Sequence, residues 1–179
     1  MADVELIESI LHKHGYADFK WIDPQEIVVS QWVRLKCEFG CPSYGKVASC
    51  PPNNPSVEEC QRFFSEYKDA LVLHFQKTAP EKADRKTWSA RTNLKLVKLE
   101  REVFLAGYPK TFLLFMDSCE LCAECVAERA KCKESKLSRP SPEGMAVDVF
   151  STVRKLGYPI EVLTDPAQTM NRYAFLMVD

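Results

Sequence analysis

A chain of 179 residues, 46% hydrophobic and 11% aromatic, carries enough apolar surface for one packed domain, expected to span residues 1–179. Its formal charge of −1 leaves no basic run to neutralise a string of phosphates, so nucleic acid is not an expected partner. The longest apolar stretches, Thr111 to Met116 and Ala174 to Val178, fall far short of the roughly 20 residues of a membrane helix. With no basic leader and apolar segment at its start, the chain is expected in the cytoplasm and off the membrane.

In chain order, Val4 to Leu11 places apolar residues at helical spacing and predicts a short amphipathic helix ending near Gly15. Glu26 to Val29 and Trp32 to Lys36 read as strands, the second alternating apolar and basic residues straight into Cys37. Glu38 to Pro55 holds two glycines, four prolines and two asparagines, a composition for an irregular loop able to wrap an inorganic centre. Ser56 and Glu59 form a capping box, with Val57, Cys60, Phe63, Phe64 and Tyr67 following at helical spacing. Leu71 to Phe75 predicts a strand, and Leu94 to Leu105 a longer helix closing at Gly107.

Thr111 to Met116, apolar throughout, suits a central strand covered on both faces, and it delivers the chain to Cys119. Met145 to Phe150 with Val153 and Leu156 predicts a helix ending at Gly157; Ile160 to Leu163 and Tyr173 to Val178 predict two strands. Strands alternating with helices favour an α/β (α+β) fold, a mixed β-sheet flanked by helices, with two cysteine-rich loops hanging from strand ends.

The eight cysteines fall into two groups. A disulfide framework belongs to small secreted domains lacking a core, so in a reducing compartment these thiols read first as metal ligands. Cys119, Cys122 and Cys125 stand at two-residue gaps, followed by Cys132 and then Arg139-Pro140. Such tight spacing lets a short loop bring three thiolates to three irons of a cubane while a more distant cysteine, here Cys132, takes the fourth. Zinc is the alternative, but it ordinarily takes two well-separated pairs. A set of buried structural thiols sits poorly with the neighbouring Glu120, Glu124, Glu128, Arg129 and Lys131.

The other group is Cys37, Cys41 and Cys50, with Pro42 and Pro51 directly after two of them; proline stiffens such loops and withholds a backbone donor. Cys60 lies on the apolar face of its helix, where a small buried hydrophobe is the ordinary role and a fourth ligand the alternative. The choice decides chemistry. Four thiolates saturate a [4Fe-4S] cluster as an electron carrier, and three leave an iron open as a Lewis acid.

At Cys37 to Pro52, CEFGCPSYGKVASCPP, and at Cys119 to Asp148, with CELCAEC, Cys132, Arg139-Pro140-Ser141 and Gly144-x₃-Asp148, the chain resembles the predicted metal-binding proteins of family DUF2284, found mostly in anaerobic bacteria and archaea. The resemblance implies cysteine-bound metal and no particular reaction, and it makes Cys60 the least typical member of its group. His74 reads as a hydrogen-bonded core residue, and His12 and His14 as solvated. Lys36, Lys46 and Arg139 are cations near the ligand loops that read first as surface residues, Tyr44 as loop packing, and Arg139 to Gly144 as a helix start. No G-x-G-x-x-G, Walker or G-x-S-x-G motif is present. The expectation is an iron–sulfur protein with one or two [4Fe-4S] clusters exchanging electrons with a redox partner protein. An enzyme with an open iron and a structural zinc module stand as alternatives.

Overall fold

Four apolar segments alternate their side chains between two faces, and both faces are covered. A computed structural model describes residues 2–79, 81–165 and 167–179. Among these, β1 (Phe19–Ile22), β2 (Asp69–Lys77), β3 (Phe112–Leu114) and β4 (Met170–Val178) form one sheet in the order β1-β2-β4-β3. Every pairing is antiparallel, the longest joining Asp69↔Val178 through Lys77↔Met170, so the sheet is antiparallel where the sequence reading has it mixed. The α+β class holds.

On one face, Ala70, Val72, Leu114, Phe175 and Met177 pack with Cys60 and Phe64 of α3 (Val57–Ser65) and Val149 and Val153 of α5 (Val149–Lys155). On the other, Leu71, Leu73, Leu113, Ala174 and Leu176 pack with Ile7, Ile10 and Leu11 of α1 (Val4–Lys13) and Leu96, Leu99 and Val103 of α4 (Lys82–Leu105). The result is a sheet between two helical layers, which is why its strands read as continuous apolar runs. No helix among the described residues is long and apolar enough to cross a membrane.

The capping box is formed as read: Ser56 Oγ accepts from the Glu59 N–H at 3.2 Å and the Glu59 carboxylate accepts from the Ser56 N–H at 2.7 Å. Ser56→Ala is expected to cost about 1 kcal/mol, visible as a lower urea midpoint at unchanged slope. His74, too, is the bonded residue expected, between Asp18 Oδ2 at 2.7 Å and Asn171 Oδ1 at 2.8 Å.

Several elements differ from expectation. Residues 32–36 lie in a helix, α2 (Gln31–Gly40), so Cys37 sits on a helix and not at a strand end. Tertiary contacts decide this: the Arg34 guanidinium donates to Pro55 O and Gly144 O at 2.9 and 3.1 Å, and Ser30 N–H donates to Ala146 O. In place of the strand expected at 26–29, a 3-10 turn, Pro24–Glu26, ends at Glu26 and one bridge joins Val29 to Val147. That bridge, with Ala146 left-handed at φ 59°, delays the following helix until the Asp148 cap, whose carboxylate accepts from Ser151 N–H.

Ile160 to Leu163 forms no strand: Ile160 anchors in the core while Val162 is 76% exposed, and the segment pairs with none of the four strands. The 111–116 run is buried on both faces but β3 is an edge strand; beyond it the Phe115 N–H donates to Pro140 O, so a loop closes that edge.

Candidate metal centre

Helix α2 places Trp32, Val33, Lys36 and Cys37 on one side, the i, i+1, i+4, i+5 spacing of a helical face. That side lines a cavity of about 450 Å³ together with Cys41, Cys50 and Pro51 from the following turns. Across the cavity stand Met116, Val147 and Phe150 with Asp117, Glu143 and Arg172. A second cavity, of about 310 Å³, is lined by Cys119, Cys122, Cys125 and Cys132, with Val47, Ala48 and Ser49 on its other side. The sequence groups of three and four cysteines therefore each surround one cavity.

The two cavities share a wall. Ser43 lines both, and along the same segment Cys50 faces the first while Val47 to Ser49 face the second. Asn53 ties the loops together, donating to Ala127 O at 2.8 Å and accepting from Arg129 N–H at 3.4 Å. Gly144 is held where a Cβ would come within 2.7 Å of Asn54 Nδ2, whose amide donates to Gly144 O.

Thiolate charge is unfavourable here without a cation. Burial, then the neighbouring Cys41, Cys37, Cys119 and Cys125, pushes the Cys50 thiol up to about 12, so the two groups sense one another across the wall. Cys37 is raised by burial and by Cys41 and Glu143, and Cys122 by desolvation and then Cys119, Glu134, Cys125 and Cys132. Mutual repulsion of this kind is relieved when a metal draws the charge, with release of the thiol protons. The Ala48 N–H already points at Cys125 Sγ, 3.3 Å away. Among the described residues no three His, Cys, Asp or Glu side chains gather tightly enough to hold one metal ion. The donors ring the two cavities instead.

A family model described as "Predicted metal-binding protein (DUF2284)" matches residues 20–178. The chain belongs to this family. The likeness first visible in two cysteine segments thus extends from β1 to the end of β4. No curated protein and no solved structure matches the chain.

Cys60 stands apart from both cavities. Its side chain is fully enclosed in the core and its thiol faces Pro55 O at 3.7 Å. Cys60→Ala is expected to retain full metal content and to lose about 1 kcal/mol of stability, as read by metal analysis and a denaturant melt of one preparation.

Sequence reasoning missed the residues that complete the cavities. Ser49 and Ser138 line the second, Asp117, Glu143 and Arg172 the first, and the cysteine spacing singles out none of them. Glu143, in the stretch that reads as a helix start, is open to the cavity yet ringed by protein, and that desolvation raises its pKa. Arg139 is no free surface cation, since its guanidinium meets the buried Glu100 carboxylate at 3.0 and 2.8 Å.

Proposed function

We propose that this protein carries two [4Fe-4S] clusters, one on Cys119, Cys122, Cys125 and Cys132 and one on Cys37, Cys41 and Cys50, and passes single electrons to a redox partner protein in the cytoplasm. The observation that carries the reading is the sorting of seven cysteines, four and three, around two cavities with a common wall. Thiolates are the ligands such clusters take, and cavities of 450 and 310 Å³ offer room for more than one ion. When bound, the clusters supply one-electron chemistry; the chain supplies ligands, hydrogen bonds and a low-dielectric surround that set the potentials. Two centres across one thin wall would form a short electron path.

One observation favours a second role for the first centre. Cys60 does not reach its cavity, while Asp117, Glu143 and Arg172 do, with Arg172 Nε 3.7 Å from Asp117 Oδ2. A centre with three thiolates has an iron free to act as a Lewis acid, and these polar groups would meet a small substrate there.

The test is anaerobic purification with iron, acid-labile sulfide and zinc quantified per chain. About eight irons and eight sulfides, with broad thiolate-to-iron absorption, are expected; equimolar zinc without sulfide would replace this reading with a structural zinc module.

A further inference from the structure

Two hydroxyls beside the four-cysteine cavity have no partner. Ser49 and Ser138 are only 4% and 3% exposed, and each Oγ is buried without a hydrogen bond. Both line the same 310 Å³ space. They come from different loops, Ser49 from the wall ahead of Cys50 and Ser138 from the turn ahead of Arg139. Ser138 N–H donates to Glu134 O at 2.8 Å, and its carbonyl accepts from Arg139 at 3.1 Å.

A buried hydroxyl left unpaired is costly, and two on residues that line one cavity point to an acceptor there. The other buried unpaired side-chain atoms among the described residues, on Tyr16, Arg34 and Asn93, belong to residues that do not line this cavity. The same wall supplies a donor whose acceptor is visible, the Ala48 N–H on Cys125 Sγ at 3.3 Å.

We propose that Ser49 and Ser138 donate hydrogen bonds to sulfur at this centre, thiolate or sulfide, and so hold its reduction potential higher than the ligands alone would set it. The inference rests on the iron–sulfur reading above. Adding one electron raises the negative charge on the sulfurs, and a donor aimed at them is worth more after reduction than before, so each hydroxyl favours the reduced form. Apolar replacement removes the donor with little change of shape. The affected centre is identified as the one lost in Cys122→Ser.

The experiment is an anaerobic dithionite titration followed by electron paramagnetic resonance, on wild type, Ser49→Ala, Ser138→Ala and the matching Ser→Thr variants. Each alanine variant is expected to keep wild-type iron and sulfide, and to shift the reduced-to-oxidised ratio of that one centre about tenfold toward oxidised, which is 59 mV for one electron. The threonine variants, which keep the hydroxyl, are expected to titrate with wild type. Unchanged midpoints in both iron-loaded alanine variants would overturn the proposal, as would equal shifts in the threonine variants or loss of iron on alanine substitution, both of which assign the serines to loop structure. An iron-free wild-type protein is a different result, because it removes the iron–sulfur reading itself.

Discussion

Cys122→Ser is expected to strip one metal centre and spare the other, lowering iron and sulfide to about half of wild type. Cys122 lines the second cavity alone, and its thiol is already held in the protonated form by desolvation and by Cys119, Glu134, Cys125 and Cys132. Serine offers oxygen where a soft thiolate is needed, and the remaining three cysteines then repel one another around an incomplete centre. Because binding free energy at such a site is also folding free energy, the variant is expected to unfold at markedly lower temperature than wild type under anaerobic conditions. Iron unchanged in Cys122→Ser would separate that cavity from metal.

Arg139→Met is expected to be the most damaging change away from the cysteines. The guanidinium grips Glu100 in a two-point contact at 3.0 and 2.8 Å, and the same carboxylate accepts from Leu113 N–H at 2.9 Å, which fixes the edge strand β3. Glu100 is 6% exposed, so losing its partner leaves a buried, uncompensated charge. The cost of such a loss is about 3–5 kcal/mol, on the order of 10 °C in melting temperature for a chain of this size. Converting Glu100 to glutamine in the same protein is expected to recover much of the loss, since a neutral amide still accepts from Leu113. A thermal melt of the single and double variants checks both statements.

What the sequence conveyed depended on how local each determinant is. The capping box at Ser56 and Glu59 was legible because both of its hydrogen bonds join residues three apart. Helix α2 was not. Five residues alternating apolar and basic mimic a strand, and the contacts that make the segment helical, from Arg34 to Pro55 and Gly144, span 21 and 110 positions. The strand expected at Ile160 to Leu163 failed for a related reason: apolar and β-branched residues set a local preference, but a strand also needs a partner, and this segment pairs with none of the four strands.

The candidate cysteines follow the same division. Spacing alone sorts Cys119, Cys122, Cys125 and Cys132 from Cys37, Cys41 and Cys50, and helical phase alone suggests that Cys60 faces the core. Ser49 and Ser138 carry no such signal, because a serine ahead of a cysteine or an arginine becomes a cavity donor only once two distant loops meet. Asn53 is similar: as one of two asparagines after a proline pair it reads as a turn former, and its bonds to Ala127 and Arg129 give it the role of a clamp.

The most direct measurement of whether the two cysteine groups hold separate inorganic centres is anomalous diffraction at the iron edge from crystals grown without oxygen. Two peaks are expected, one inside the ring of Cys119, Cys122, Cys125 and Cys132 and one beside Cys37, Cys41 and Cys50, with none near Cys60. A single peak bridging the two groups, a signal at the zinc edge in place of iron, or no metal at either ring would contradict it.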